Sequence, residues 1–411
     1  MSESHHEELS RPDWAIACVL GILGLVGAFA AFAEHGLIER EVWFQGDTGR
    51  AFADMIWHDA NHYRTSVHPL FVMMTLPPCY IMRKLFGIEA YDAVRIVSVT
   101  LAFAWTAGLY LLFRLSSVQR TGAVLFALLG AMSSASIFWF TTSETYAWGS
   151  LSIVGALVFA ALSERRSFPA AAYVVIMIAT ASVTITNGVV GAVATLANLR
   201  WKRTLLAGIA ALVVLFALSL LQKAVFPTAS LLLSSNSEEA TYLMDPKLGG
   251  PLRAGSVFLF HSIVMPALRL VDHNGHPMLS VQMSLPGSGS IVAVLAVVIW
   301  GALLILGLWA AVTLKTGRNL RLTVCLSLLA QFLLHLVYGD ETFLYSLHYM
   351  PLLLVLSSFV LQTRLRNVGM ALGLVLLPLI ASTNIQALSE SRKLIAPKAA
   401  ALSADSTPAQ N

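Results

Sequence analysis

GDTGRAFADMIWHDANHYRTSVHPLFVMMTLPPCYIMRKLFG, residues 46–87, interrupts an otherwise apolar chain. It carries Asp47, Arg50, Asp54, His58, Asp59, His62, Tyr63, Arg64 and His68, directly after the first apolar run, Trp14–Ala33. It then passes into a second apolar run at 69–86. Ionisable groups at membrane depth are costly, so such a density marks a place where water and a polar substrate meet the protein. Whether 69–86 crosses the bilayer decides the fold, because a crossing there inverts every later helix.

The surrounding composition is that of an integral membrane protein. The 411 residues are 57% hydrophobic and 12% charged, and the mean hydropathy is +0.74. Soluble domains carry about 25% charged residues. The formal charge of +4 is too small and too scattered to point to nucleic acid. Cys18, Cys79 and Cys325 are too few and too dispersed for a disulfide framework or a thiolate metal site. Ala31-Phe32-Ala33 resembles a signal-peptidase site, but the apolar run before it is long and its flank holds Glu3, Glu7 and Glu8. We therefore expect Trp14–Ala33 to be retained as a first transmembrane helix.

Twelve apolar runs follow from the pattern: 14–33, 69–86, 93–113, 121–141, 146–162, 169–186, 188–199, 204–226, 290–314, 320–338, 343–361 and 367–385. Five short loops are basic, at Arg114/Arg120, Arg165/Arg166, Arg200/Lys202/Arg203, Lys315/Arg318/Arg321 and Arg364/Arg366. Basic short loops are cytoplasmic. The alternate loops, at 144–146, 186–188, 227–289 and 339–341, hold acids, His or amides. If residue 34 is outside and 93–113 runs inward, 69–86 cannot cross. Pro69, Pro77-Pro78 and the terminal Arg83-Lys84 fit a helix lying in the outer interface. The expected fold is an all-α polytopic membrane protein with about eleven transmembrane helices and one outer juxtamembrane helix.

This topology gathers Asp47, Asp54, His62, His68, Glu144 and Glu341, among others, on one face. A transporter keeps polar or broken-helix features near the midplane, and spans 93–113, 204–226, 290–314 and 367–385 show little of that. The small residues Ser133, Ser134, Ser136, Thr180, Ser182 and Thr184 read as helix packing. Asp47 suits two roles equally: a general base for an acceptor hydroxyl, or the N-cap of a helix from Thr48 to about Trp57. Arg64 and Arg50 have the forked donors that clamp a phosphate, or pair with lipid headgroups. His68 suits donation to a phosphate, orientation of Asp47, or a structural cap. His58 and His62 have the i,i+4 spacing of a metal pair, but no third ligand accompanies them, and a solvated face is the plainer reading. A divalent metal is therefore left as an open cofactor and no metal ligand is assigned. Trp43, Trp57 and Tyr63 suit a sugar platform or an interfacial aromatic belt.

Several short motifs, in order, resemble the integral membrane glycosyltransferases of the GT-C superfamily, the group with the protein O-mannosyltransferases and the lipid A aminoarabinose transferase. They are Gly46-Asp47 after the first helix, His68-Pro69-Leu70 opening the non-crossing helix, and Phe138-Trp139 followed by Glu144-Thr145-Tyr146-Ala147. The resemblance covers roughly residues 14–226. It implies a polyprenyl-phosphate-linked sugar donor drawn from the membrane lipid, transfer with inversion, and a glycan, lipid or protein acceptor on the outer face. It implies Asp47 as general base. The family often has a second acid beside the first; here Thr48 follows, so that acid falls to Asp54 or Glu144. Phosphate contacts fall to Arg64 and His68, with Arg83 or Lys84 as further candidates. Asp54, His62, Tyr63, Glu144 and Tyr146 complete the expected substrate site.

The chain then divides into a cytoplasmic N-terminus (1–13), a GT-C-like catalytic membrane module (14–226) with outer loop 34–92, an outer loop (227–289), C-terminal transmembrane helices (290–385) and a flexible tail (386–411). The 227–289 loop is expected to hold amphipathic pieces around 251–268. The setting implied is a bacterial inner membrane with an outward-facing site. The alternative is a transporter or flippase for a lipid-linked sugar.

Overall fold

A computed structural model describes residues 9–39, 41–232, 234, 246–273 and 276–405. Nearly all of the regular structure is helical. In chain order the helices are α1 (Arg11–Ala31), α2 (His35–Glu39), α3 (Thr48–Ile56), α4 (Phe71–Phe86), α5 (Ala90–Leu115), α6 (Arg120–Ala131), α7 (Ser134–Trp139) and α8 (Thr145–Ser163). There follow α9 (Ala170–Val183), α10 (Gly188–Asn198), α11 (Trp201–Val225) and α12 (Gly250–Ser256). The last four are α13 (Ile291–Thr313), α14 (Arg318–His335), α15 (Ser346–Ser358) and α16 (Arg366–Asp405).

Among the described residues, seven helical segments are long and apolar enough to cross a membrane. They are α1, α5, α8, α11, α13, the segment Thr342–Gln362 built around α15, and Arg366–Ile395 of α16. The other expected spans are shorter or more polar. The run at 121–141 breaks after Ala131 into α6 and α7, and α9 and α10 are short helices meeting at Ile185–Asn187. α14 carries Arg318, Arg321, Gln331 and His335. α4 is not among the seven; it is 16 residues long and contains Pro77 and Pro78.

Burial sorts these helices by the medium they meet. Every residue of α15 is buried, as a helix apolar all round should be when it forms the core. α11, α13 and α16 instead expose Leu206, Val213, Ile305, Val312 and Leu374. Apolar exposure on helices of crossing length is what a lipid-facing surface requires. α5 packs on α1, α6 and α8, while α15 packs on α8, α13 and α14.

The two ends of the bundle carry different chemistry. Ser116, Arg165, Gly317, Arg321 and Gln362 line one small pocket, so four of the basic loops meet at one end. There Arg114 and Arg120 also close on buried Asp13, each Nε within 3.0 Å of its Oδ1. The acid- and His-bearing loops collect at the opposite end. Leu70 N–H donates to Ser182 O, Ile185 N–H to Val67 O, and Leu279 N–H to Val42 O.

Two features depart from expectation. The all-α reading misses a hairpin in the 227–289 segment: β1 (Arg269–His273) pairs antiparallel with β2 (His276–Ser280). The piece expected around 251–268 is present as α12 running into a π-turn, Val257–His261. The last helix also continues to Asp405, well past Ile385, where a flexible tail was expected to begin.

Candidate functional site

Asp47 stands at the N-cap position of α3, yet its side chain accepts no bond from the first amides of that helix. The carboxylate turns to arginines instead. Its Oδ2 lies 3.2 Å from Arg50 Nε and 4.0 Å from Arg64 Nε. No hydrogen bond reaches Oδ1 among the described residues. The Asp47 side chain is 34% exposed, against 3% for Asp54. Asp47 is thus the carboxylate of this cluster with an open face.

Helical spacing builds the support behind it. Arg50 lies three residues after Asp47 and four before Asp54, so one guanidinium reaches both. Its Nη1 donates to Asp54 Oδ2 at 2.7 Å. Burial opposes the charge on Arg50, but Asp47, Asp54 and Glu144 outweigh it and hold its pKa above the ordinary value. Asp54 Oδ1 lies 2.7 Å from His62 Nδ1, and His62 Nε2 lies 3.0 Å from the His58 carbonyl. Each ring nitrogen of His62 thus faces an oxygen.

This corrects the solvated face expected of His58 and His62: His58 is exposed and His62 is buried. Residues 57–62 form turns rather than a helix, so the i,i+4 face does not exist. His62 is taken by Asp54, and exposed His58 pairs with Asp59 at 2.8 Å. No group of three or more His, Cys, Asp or Glu among the described residues is arranged to share a metal.

Glu144 ties the first loop to α8. Its Oε1 accepts the Asp47 N–H at 2.7 Å and its Oε2 accepts the Thr145 N–H at 2.5 Å. Burial pushes the Glu144 carboxyl above its ordinary value; Asp47 adds to this, and Arg50 and the two amides oppose it. Gly46 makes the approach possible: a Cβ there would lie 2.9 Å from the Trp43 carbonyl oxygen and 3.3 Å from the Trp139 ring. Ser143 Oγ donates to the Thr48 carbonyl, which adds a second strut between the same segments.

The loop entering the site is strained. Glu41, Phe44 and Gln45 have φ of 51°, 45° and 62°, a region unfavourable for side-chain-bearing residues. Neighbouring contacts hold it there. Phe44 is fully buried against Phe138, Trp139 and Phe343. The hairpin braces the other side: Leu279 N–H donates to Val42 O, and Trp43 bridges to Leu279. Glu341 secures the hairpin in turn by accepting the Ser280 hydroxyl at 2.5 Å.

Of the roles open to His68, its contacts fit the structural one rather than the phosphate contact that the resemblance implies. Its Nδ1 lies 2.7 Å from the Val183 carbonyl, which fixes the proton on Nδ1. Burial, then the charges of Arg50 and Arg64, pull its pKa well below the ordinary value. A neutral ring whose N–H is already used has nothing to donate to a phosphate. His68 instead clamps the start of α4 to the end of α9. Tyr63 opens the 3-10 turn, Tyr63–Ser66, that carries Arg64.

Tyr146 lies in the first turn of α8, behind Glu144. Its ring contacts those of Trp139, Tyr345 and His348. One turn deeper, Gly149 admits His348 and Asn187 to the same point: a Cβ there would lie 2.5 Å from His348 Nε2 and 2.8 Å from Asn187 Nδ2. Both atoms are buried and have no hydrogen-bond partner among the described residues. The sequence showed Asn187 and His348 only as isolated polar residues on separate segments. Arg50, by contrast, was legible from its spacing to Asp47 and Asp54.

No family model matches this chain, and no curated protein matches it.

Proposed function

We propose that the protein is an inverting glycosyltransferase of GT-C type, moving a sugar from a polyprenyl-phosphate donor to an acceptor hydroxyl. The observation that carries this reading is the open, uncapped carboxylate of Asp47, held beside two arginines by Glu144. In the reaction the acceptor oxygen attacks the anomeric carbon from the face opposite the phosphate. The bond from that carbon to the phosphate oxygen breaks, and polyprenyl phosphate leaves with the electron pair. The acceptor proton passes to Asp47 Oδ1 and from there to water.

Arg64 and Arg50 supply the positive charge that favours the leaving phosphate. Asp54 and His62 fix Arg50, and Glu144 fixes the backbone of Asp47. Tyr146 shapes the inner wall. The sidedness of the charged loops supports a site on the outer face of the membrane, with α4 lying in the interface and about eleven segments crossing; the setting we propose is a bacterial inner membrane. A glycan, a lipid or a protein can each offer the acceptor hydroxyl.

The test is a comparison of lipids and glycans between a deletion strain and strains expressing the wild type or Asp47→Asn. The deletion strain should accumulate one polyprenyl-phosphate sugar and lack one glycan modification. Asp47→Asn should reproduce that phenotype at normal protein levels. Full complementation by Asp47→Asn would refute the assignment.

A further inference from the structure

On the flank of the bundle, a gap opens between α1 and α16, which meet at Ala31 and Arg392. α1 packs on α5 and α6, while α16 packs on α13, α6 and α7. Between them lies a cavity of about 290 Å³, lined by Leu23, Gly27, Ala131, Met132, Ile137 and Ile385 among others. Leu23 and Ile385 are more than half exposed, so the gap opens sideways on the apolar surface of the bundle. Gly27 leaves part of the space free: a Cβ built there meets nothing within 4 Å.

Three observations identify what fills it. The medium at the opening is hydrocarbon, because α1 and α16 are both of crossing length and apolar. On α1 the lining runs from Leu20 to Ala31, the end that carries Asp47. At 1.5 Å per residue this is about 17 Å, roughly half of a ~30 Å hydrocarbon core. The groove therefore has the depth of one leaflet, which suits an acyl chain and not a long polyprenyl chain. A cation also stands at its mouth. Arg392 Nη2 donates to the Ala31 carbonyl at 2.6 Å, and this is the hydrogen bond its guanidinium makes among the described residues. The remaining donors of that fork suit a phosphate.

We propose that this groove binds one acyl chain of a phospholipid from the leaflet on the Asp47 side, with its phosphate held by Arg392. The lipid fills the gap between α1 and α16 below their contact at Ala31 and Arg392. This site is separate from the Asp47 cluster and does not depend on the transferase reading.

The test uses the full protein in vesicles of phosphatidylethanolamine and phosphatidylglycerol, with a fraction of the phosphatidylglycerol carrying a diazirine in its acyl chain. After photolysis, peptides from α1, α6 and α16 should be labelled more heavily than those covering the exposed face of α11. Gly27→Leu fills the groove where the space is open; Ala131→Leu fills it from the opposite wall. Either should lower groove labelling about tenfold, as expected when roughly two methylene contacts are lost, with α11 labelling unchanged. Arg392→Gln should lower it several-fold. Groove labelling no heavier than that of α11, or unchanged in both filling variants, would overturn the proposal. So would labelling that is abolished by added polyprenyl phosphate.

Discussion

Asp47 was open between two roles, and the bond that defines one of them, the helix cap, is absent. A capping aspartate spends its carboxylate on the amides of its own helix. Asp47 spends Oδ2 on Arg50 and leaves Oδ1 open, while Glu144 holds its backbone. If Asp47 is the proposed base, Asp47→Asn keeps the shape and removes it. Transfer is expected to fall by about 10²–10⁴-fold with little change in thermal stability, read as initial rate and melting in detergent. Asp54→Asn should act less directly. It weakens the hold on Arg50 and His62, so activity falls while the protein remains folded, and the loss should be smaller than that of Asp47→Asn.

Glu341 gives a residue-scale prediction of a different kind. Burial pushes its carboxyl up to about 7, against the hydrogen bonds it accepts from Ser280, Val281 and Gln282. The folded protein therefore binds this proton more tightly than the unfolded chain does. Its contribution to stability is fully present below the ordinary value of 4.5 and is lost as pH rises through about 7. The span is on the order of 3 kcal/mol. Glu341→Gln, which stays neutral, should flatten the fall in melting temperature between pH 5 and pH 8. An unchanged pH profile would show that Glu341 is not its source.

At the scale of elements, the site depends on a short strained loop and its braces. Residues 41–47 pass between the hairpin and the Phe44–Phe138–Phe343 cluster, and Gly46 is the point of closest approach. Gly46→Ala places a methyl group against a carbonyl oxygen that cannot move freely. It should cost about 1–3 kcal/mol and displace Asp47 from Arg64, so stability and activity fall together. The i−3/i+4 placement of Arg50 was legible in the sequence because helix periodicity alone brings those side chains together. The hairpin was not. Its five-residue strands sit in a long mixed segment, and its pairing with Val42 spans more than two hundred residues, beyond any local pattern. The shared solvated face expected of His58 and His62 failed for a related reason: their spacing presumed a helix, and the chain between them turns.

At the scale of the whole molecule, the alternation of basic and acidic loops proved the most legible feature. It foretold that Ser116, Arg165 and Arg321 would meet at one end and Asp47, His68 and Glu144 at the other, because the charge pattern is written in every loop. Which polar residues meet inside the bundle was not legible. Asn187 and His348 come from different helices and converge only because Gly149 lacks a side chain. The topology reading makes its own prediction. Glu89→Cys should react with a membrane-impermeant maleimide from the Asp47 side, and Ser117→Cys only after the membrane is opened. Reaction of Glu89→Cys only after the membrane is opened would overturn the non-crossing placement of α4.

The central claim is most directly tested with purified protein in proteoliposomes containing radiolabelled polyprenyl-phosphate sugars and a mixture of glycan, lipid and peptide acceptors. The account predicts that the wild type consumes one donor and releases polyprenyl phosphate, and that Asp47→Asn does neither. Equal release by Asp47→Asn would contradict it, as would movement of an intact donor across the bilayer by the wild type with no sugar transferred.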